Sequence, residues 1–474
     1  PMTAESVAIY LGIIKAGCVV VSIADSLATD EIAIRLQISQ AKTIFTQDII
    51  LRAGQELPLY SKVIDVNPLR VIVLASDSSL SIELRQQDLS WFEFLSPKDK
   101  FTPIYTHPEA YTNILFSSGT TGEPKAIPWN QTTPIKCAVD GYLHQDIHRG
   151  EVVAWPTNLG WMMGPWLIFA SLINQATIAL YYDTPTGREF GQFVQNARVN
   201  MLGVVPGLVN TWKVSGCMQG LDWSEIKLFS STGECSNPQD MLFLMSLAGY
   251  KPIIEYCGGT EIGGGYLTGT LVQPCIPSTF TTPALGLDLA TFDEQGHVAD
   301  TGEVFLIPPS IGLSTELLNK DHHRVYFDHT PSPILRRHGD RLERLPNYYY
   351  RVQGRADDTM NLSGIKVSSA EIERVLNTVV GVRETAAITI SPLHGGTSQL
   401  VIYAVVAPQV QTDKDSLINA MQTAIKQHLN PLFKIGDLEL VSSLPRTASN
   451  KVMHRVLRER AKIKSTNKQV EKRR

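Results

Sequence analysis

Short apolar runs alternate with helical stripes along the first half of this chain. Runs at Val19–Ile23, Thr43–Phe45, Val71–Leu74, Ile114–Phe116, Val152–Ala154, Ile178–Tyr182, Leu202–Val205 and Lys227–Phe229 read as buried strands. Strands separated by helices in this way predict an α/β fold with mostly parallel sheets. From Thr281 to Pro308 the texture changes to short strands and turns, as in Gly302-Glu303-Val304-Phe305-Leu306-Ile307, which predicts a small β-rich subdomain.

Past Gly354-Arg355-Ala356-Asp357-Asp358 the pattern becomes that of a small α+β domain. Ser368-Ser369-Ala370-Glu371 is a capping box ahead of the stripe Ile372, Val375, Leu376 and Val379. Strands are expected at Thr385–Ile390 and Leu400–Ala407, separated by a Gly395-Gly396 turn. A second helix carries Leu417, Met421, Ala424, Ile425 and His428 and stops at Pro431, and His428 is expected to be structural there. The chain thus divides into a large domain, residues 1–355, and a small domain, residues 356–474. At the start, Val7, Leu11 and Ile14 form a stripe that Gly17 ends before the first strand. This is half of a βαβ unit without its opening strand, so the large domain is expected to be incomplete at its amino terminus.

Composition narrows the class. The chain has 474 residues, 43% hydrophobic and 19% charged, and a net charge of -4, which gives no electrostatic reason to expect nucleic acid. Only the tail is basic, with nine Lys/Arg from Arg455 to Arg474 against Glu459 and Glu471, and it reads as a solvated segment. The six cysteines are scattered without a C-x-x-C pair, which suits reduced intracellular thiols better than a disulfide frame or a zinc site. No apolar stretch reaches the roughly 18–20 residues of a membrane span.

Two segments carry candidate chemistry. The strand Asn113-Ile114-Leu115-Phe116 runs into Ser117-Ser118-Gly119-Thr120-Thr121-Gly122-Glu123-Pro124-Lys125. Such a loop offers phosphate oxygens backbone N–H groups freed by glycine, hydroxyl donors and one cation. It is not a Walker A loop, because Pro124 separates the glycines from Lys125. In Glu255-Tyr256-Cys257-Gly258-Gly259-Thr260-Glu261-Ile262-Gly263, a hydroxyl stands beside a carboxylate in a glycine run, a combination suited to magnesium shared with substrate phosphates.

The order of these residues resembles the adenylate-forming superfamily, which includes acyl-CoA synthetases, luciferases and peptide-synthetase adenylation domains. Six segments match in family order, over about residues 1 to 460. The resemblance points to the acetyl-CoA-synthetase-like branch and, within it, to plant acyl-activating enzymes. It implies that Ser117, Ser118, Gly119, Thr120, Thr121, Gly122 and Lys125 bind phosphate, that Thr260 contacts the α-phosphate, and that Glu261 holds Mg²⁺. Gly233, Glu234 and Cys235 resemble the adenine wall, with Cys235 where the family has proline. Asp340 and Arg355 resemble the pair that grips the ribose, and Asp357 falls on the hinge. In Asn361-Leu362-Ser363-Gly364-Ile365-Lys366, Gly364 is implied to admit the pantetheine arm and Lys366 to serve phosphate or CoA. Pro445-Arg446-Thr447-Ala448-Ser449-Asn450-Lys451 resembles the loop whose lysine drives adenylation, with Asn450 in place of glycine. Trp161 and Met163 resemble acyl-pocket residues.

The resemblance implies two steps: carboxylate and ATP give acyl-AMP and pyrophosphate, then CoA displaces AMP. ATP and CoA are the implied co-substrates, a small carboxylic acid the partner, and a cytoplasmic or peroxisomal setting the expectation. Gly258 stands where acetyl-CoA synthetases resemble one another in a pocket-closing tryptophan, so a substrate larger than acetate is expected. Two other readings stay open. One is an inactive truncated member acting as a binding or regulatory protein. The other is an adenylating enzyme that hands acyl-AMP to a different acceptor. Oligomeric state is left open.

Overall fold

A computed structural model describes residues 1–98, 100–117, 123–356, 359–362, 364–390, 398–406, 413–446 and 452–471, with the side chains of 355, 455 and 464–471 outside the description. Among these residues, seven strands form the central sheet, in the spatial order Thr177–Ala179, Val152–Ala154, Met201–Val204, Leu228–Ser231, Ile253–Gly259, Gly264–Thr268 and Thr282–Pro283. The first five run parallel and the last two are antiparallel.

Alternate residues of the parallel strands enter two different cores. Val153, Met201, Leu228 and Ile254 pack on one face with Trp155 and Trp166. Ala154, Leu202, Phe229 and Ile253 pack on the other with Trp212 and Trp223. A sheet covered on both faces needs apolar residues at consecutive positions, which is why these strands read as unbroken apolar runs. Helices supply the cover. Met163–Leu172 is buried along almost its whole length, whereas Arg188–Asn196 buries only Phe190, Gly191 and Val194. The helix Pro238–Ser246 starts at Asn237, whose side chain accepts from the N–H groups of Gln239 and Asp240.

Four smaller sheets complete the amino-terminal body among the described residues, one of them the hairpin Ile49–Arg52/Gln55–Pro58. Val20–Val21 lies parallel to Tyr111–Ser117, which turns back antiparallel into Lys125–Asn130. Ile44–Gln47, Val71–Leu74 and Leu89–Ser90 form a parallel sheet. The β-rich region is a four-stranded antiparallel sheet of Asp288–Phe292, Thr301–Ile307, Arg336–Arg344 and Tyr350–Arg355, extending well beyond the expected Thr281–Pro308.

The small domain has its own core. The hairpin Thr359–Leu362/Ile365–Ser368 leads into the helix Ser369–Leu376, capped reciprocally by Ser368 and Glu371 as expected. Val382–Ile390 and Gln399–Val406 pair antiparallel, and Ile435–Leu440 adds in parallel. The helix Lys414–His428 covers them with Leu417, Met421 and Ile425. His428 is half-exposed and its Nδ1 lies 3.0 Å from Asp30 Oδ2, so it links the two bodies and does not merely end an apolar stripe. Beside it the Ala28 N–H donates to the Leu429 carbonyl at 3.1 Å, and Arg374 Nη2 reaches Glu31 Oε1 at 2.8 Å. Among the described residues no helix is long and apolar enough to cross a membrane.

Candidate active site

The base of the hydroxyl-rich loop is a hairpin, with Ser117 opposite Lys125 in register. Ser118, Gly119, Thr120, Thr121 and Gly122 lie outside the described residues. Asn319 fastens the far side of this base: its Oδ1 accepts from the Ala126 N–H at 2.9 Å and its Nδ2 donates to the Pro124 carbonyl at 2.9 Å. Lys125 Nζ sits 5.1 Å from the centroid of the Tyr326 ring.

Glu261 stands on the turn between Ile253–Gly259 and Gly264–Thr268 and is buried. Trp129 Nε1 donates to the Thr260 carbonyl at 2.8 Å, and the Ser314 N–H donates to the Glu261 carbonyl at 2.8 Å, so both flanking segments hold the turn. Burial works against ionisation of Glu261, but the charges of Lys366, Lys125, His338 and Arg336, in falling order, win and hold its carboxyl well below the usual range. Its Oε2 has no hydrogen-bond partner among the described residues. An ionised, buried acceptor with a free oxygen fits a hard cation. Among the described residues no group of three or more His, Cys, Asp or Glu could hold a metal ion, so such a cation would draw its remaining ligands from phosphate and water.

Asp340 is buried on the strand Arg336–Arg344, directly opposite Arg355 in register. It accepts from Tyr266 Oη at 2.9 Å and lies 3.2 Å from His338 Nε2. The Gly233–Cys235 segment faces the hairpin around Gly364. Glu234 Oε1 accepts the Gly364 N–H at 3.1 Å. Gly233 and Gly364 both have positive φ, and a Cβ on Gly233 would lie 3.1 Å from Gly364 Cα, so this backbone approach requires glycine. Cys235 Sγ donates weakly to the Val352 carbonyl at 3.6 Å, and burial, aided by Asp340, Glu255 and Glu234, pushes its thiol up to about 12. Lys366 follows two residues after Gly364 and is the strongest charge acting on Glu261. The structure therefore brings the hairpin base, Glu261, Asp340, the Gly233–Cys235 segment and Lys366 together. Asp357 and Lys451 fall outside the described residues.

The acyl-pocket residues do not assemble as expected. At Gly258 a Cβ would meet the Gly264 carbonyl oxygen at 2.0 Å, because the neighbouring strand crosses at a bulge. Met163 is buried beside Trp155 and Trp166 in the core under the sheet. Trp161 instead packs against the small-domain core and against Ala24 and Leu27.

Sequence reasoning missed Arg336 and Tyr326. Arg336 is 1% exposed and lies 3.8 Å from the Tyr326 ring centroid, the same ring that Lys125 approaches. The signal was available in Arg336-Arg337-His338-Gly339-Asp340, where the arginine shares a short segment with the recognised aspartate.

Lys125, Arg336 and Lys366 act together on the buried carboxylate of Glu261 in a fold of layered α/β sheets. The chain belongs to the family of AMP-binding enzymes, whose model matches residues 1–311. It is 52% identical to "Probable acyl-activating enzyme 17, peroxisomal" of Arabidopsis thaliana, over 97% of this chain and 66% of the relative. It is 50% identical to the hexanoyl-CoA synthase of Cannabis sativa, again over 97% of this chain and 66% of the relative. The chain thus spans just under two thirds of the length of these curated relatives. Among solved structures, acetoacetyl-CoA synthetase from Streptomyces lividans superposes with a TM-score of 0.71 at 23% identity, covering 95% of this chain and 71% of that one. Amide bond synthetase McbA from Marinactinospora thermotolerans superposes with a TM-score of 0.77 at 18% identity, covering 96% and 88%. These structures share the fold. The resemblance to the adenylate-forming superfamily and its plant acyl-activating branch holds.

Proposed function

We propose that the protein is an ATP-dependent acyl-CoA synthetase that forms an acyl-adenylate and then a CoA thioester. The observation that carries this reading is the Gly364 N–H donated to Glu234 across the domain boundary, which sets a glycine-edged loop and Lys366 over the site around Glu261. The identity to hexanoyl-CoA synthase supports it, and supports an acid longer than acetate.

In the first step a carboxylate oxygen attacks the α-phosphorus and pyrophosphate leaves. Negative charge builds on phosphate oxygens, so positioned cations and N–H donors do most of the catalysis. Ser117 to Gly122 and Lys125 cradle the phosphates, and Thr260 contacts the α-phosphate. Glu261 would hold Mg²⁺, which neutralises phosphate charge when bound. Asp340 and Arg355 hold the ribose, and Gly233, Glu234 and Cys235 wall the adenine. Lys451 serves this step, and Gly364 serves the second by admitting the pantetheine arm. Both belong to the small domain, taken to begin at residue 356, so the domain rotates about Asp357 between steps. An intracellular setting, cytoplasmic or peroxisomal, and a part in fatty-acid activation complete the reading.

The test is a panel of carboxylic acids on the full-length gene product, scored for pyrophosphate and AMP with and without CoA. AMP formation that needs both CoA and a medium-chain or aromatic acid is the expected result. Pyrophosphate release indifferent to CoA would point to another acceptor, and no release with any acid would sink the enzymatic reading.

A further inference from the structure

Arg336, His338 and Asp340 lie on one strand and are all buried; His338 Nδ1 lies 3.9 Å from Glu261 and its Nε2 3.2 Å from Asp340, and the charge of Arg336 also acts on Glu261. Gly339 has φ +87° and the strand bulges between Arg337 and Arg341. With Asp340 on the ribose, Arg336 falls on the side of Lys125 and the phosphate loop, whose base shares the Tyr326 ring with it. Its guanidinium is fixed from two sides. Nη2 donates to Ser314 Oγ at 2.9 Å, and Ser314 is itself bonded to the Glu261 carbonyl. The Tyr326 ring lies 3.8 Å away and also carries Lys125 at the base of the phosphate loop.

The remaining donors, Nε and Nη1, have no hydrogen-bond partner among the described residues. A buried guanidinium with donors unused on both edges is costly, and a group carrying several oxyanions, such as a diphosphate, satisfies it best. Lys125, Arg336 and Lys366 together outnumber the charge of Glu261, so the pocket favours an arriving polyanion.

We propose that Arg336 binds the β- and γ-phosphates of ATP beside Lys125 and stabilises them as they leave. This rests on the acyl-adenylate reading above. In that step the bond from the substrate oxygen to the α-phosphorus forms. The bond from the α-phosphorus to the bridging oxygen breaks, and its electron pair departs with pyrophosphate. Arg336 donates N–H to pyrophosphate oxygens and transfers no proton.

The experiment measures pyrophosphate binding by calorimetry and ATP–pyrophosphate exchange on the full-length gene product, for Arg336→Gln and Arg336→Lys. Arg336→Gln is expected to weaken pyrophosphate about tenfold or more, the scale of charged hydrogen bonds, and to slow exchange in parallel. AMP affinity and conversion of supplied acyl-AMP to acyl-CoA should stay within about twofold, since neither involves pyrophosphate. Arg336→Lys keeps the cation on Tyr326 and loses the fork, so it should show the same selectivity with a smaller loss, and it decides the matter if Arg336→Gln does not fold. Unchanged pyrophosphate affinity, or equal loss in both half-reactions, overturns the proposal. So does a rise confined to the KM for the carboxylic acid. If the unmodified protein exchanges no pyrophosphate with any acid, the acyl-adenylate reading fails, while the calorimetric comparison still decides Arg336.

Discussion

The framework around Glu261 and the roof over it are built differently. Glu261, Asp340 and Arg336 stand on strands or on a tight turn between strands, each buried and each braced by neighbours such as Trp129, Tyr266 and Ser314. Beyond the packing of Trp161, the roof is joined to that framework by polar contacts: Gly364 to Glu234, Arg374 to Glu31, His428 to Asp30 and Leu429 to Ala28. Apolar burial at about 25 cal/mol per Å² fixes the first side as part of the fold. Polar pairs exchange for water at little net cost, as in transient interfaces. One side is suited to hold a ligand in register, the other to separate.

The largest expected effect tests whether the roof serves two steps. Lys451→Ala should lower acyl-AMP formation by roughly 10²–10³, the scale of losing one preorganised charge donor, and leave conversion of supplied acyl-AMP to thioester near normal. Rates of the two half-reactions, measured separately, check this. Equal losses would make the lysine structural and remove the contrast.

A second prediction concerns the framework. Glu255 lies beside the Ser231–Ser236 segment, where burial pushes its carboxyl up to about 7 despite hydrogen bonds from Ser236, Ser231 and Ser278. Between the ordinary carboxyl value of 4.5 and about 7, the folded state holds a proton that the unfolded chain has lost. Stability should therefore fall as pH rises through that window and level off above it. Glu255→Gln should abolish the slope and stabilise the protein at pH 8 by about 1–3 kcal/mol, read from urea unfolding at several pH values. An unchanged slope would show that Glu255 ionises freely.

The smallest effect is at the polar seam. Arg374→Ala removes one partner of Glu31, which still pairs with Arg35 Nη1 at 2.6 Å. Coupling of about 1 kcal/mol predicts a fall in the thioester step of roughly fivefold, with adenylation unchanged or faster. Slowing of adenylation alone would mean that this contact supports the other step.

Much of the framework was legible because its physics is local. Strands covered on both faces print continuous apolar runs, and Ser368 and Glu371 announce their helix within four residues. The close backbone approach at Gly364 was legible through its glycine. Arg336 was not, because an arginine in a charged strand reads as solvent-facing until the fold shows it buried against Tyr326. The close approach of the Gly264 backbone to Gly258 has no signature in the sequence pattern. The pairing of Glu31 with Arg374 spans 343 residues, beyond any pattern in the chain.

Trp161 gives the seam an optical consequence. Of the seven tryptophans, Trp129, Trp155, Trp166, Trp212 and Trp223 are sealed in the amino-terminal body, and Trp91 rests on Phe45 and Phe94. Trp161 alone touches both the small-domain core and the Ala24–Leu27 segment. Lifting the roof would hydrate this one indole and leave the other six in place, shifting its emission to the red. The molecule therefore carries its own fluorophore at the joint, and stopped-flow emission during turnover would time the opening without any attached dye.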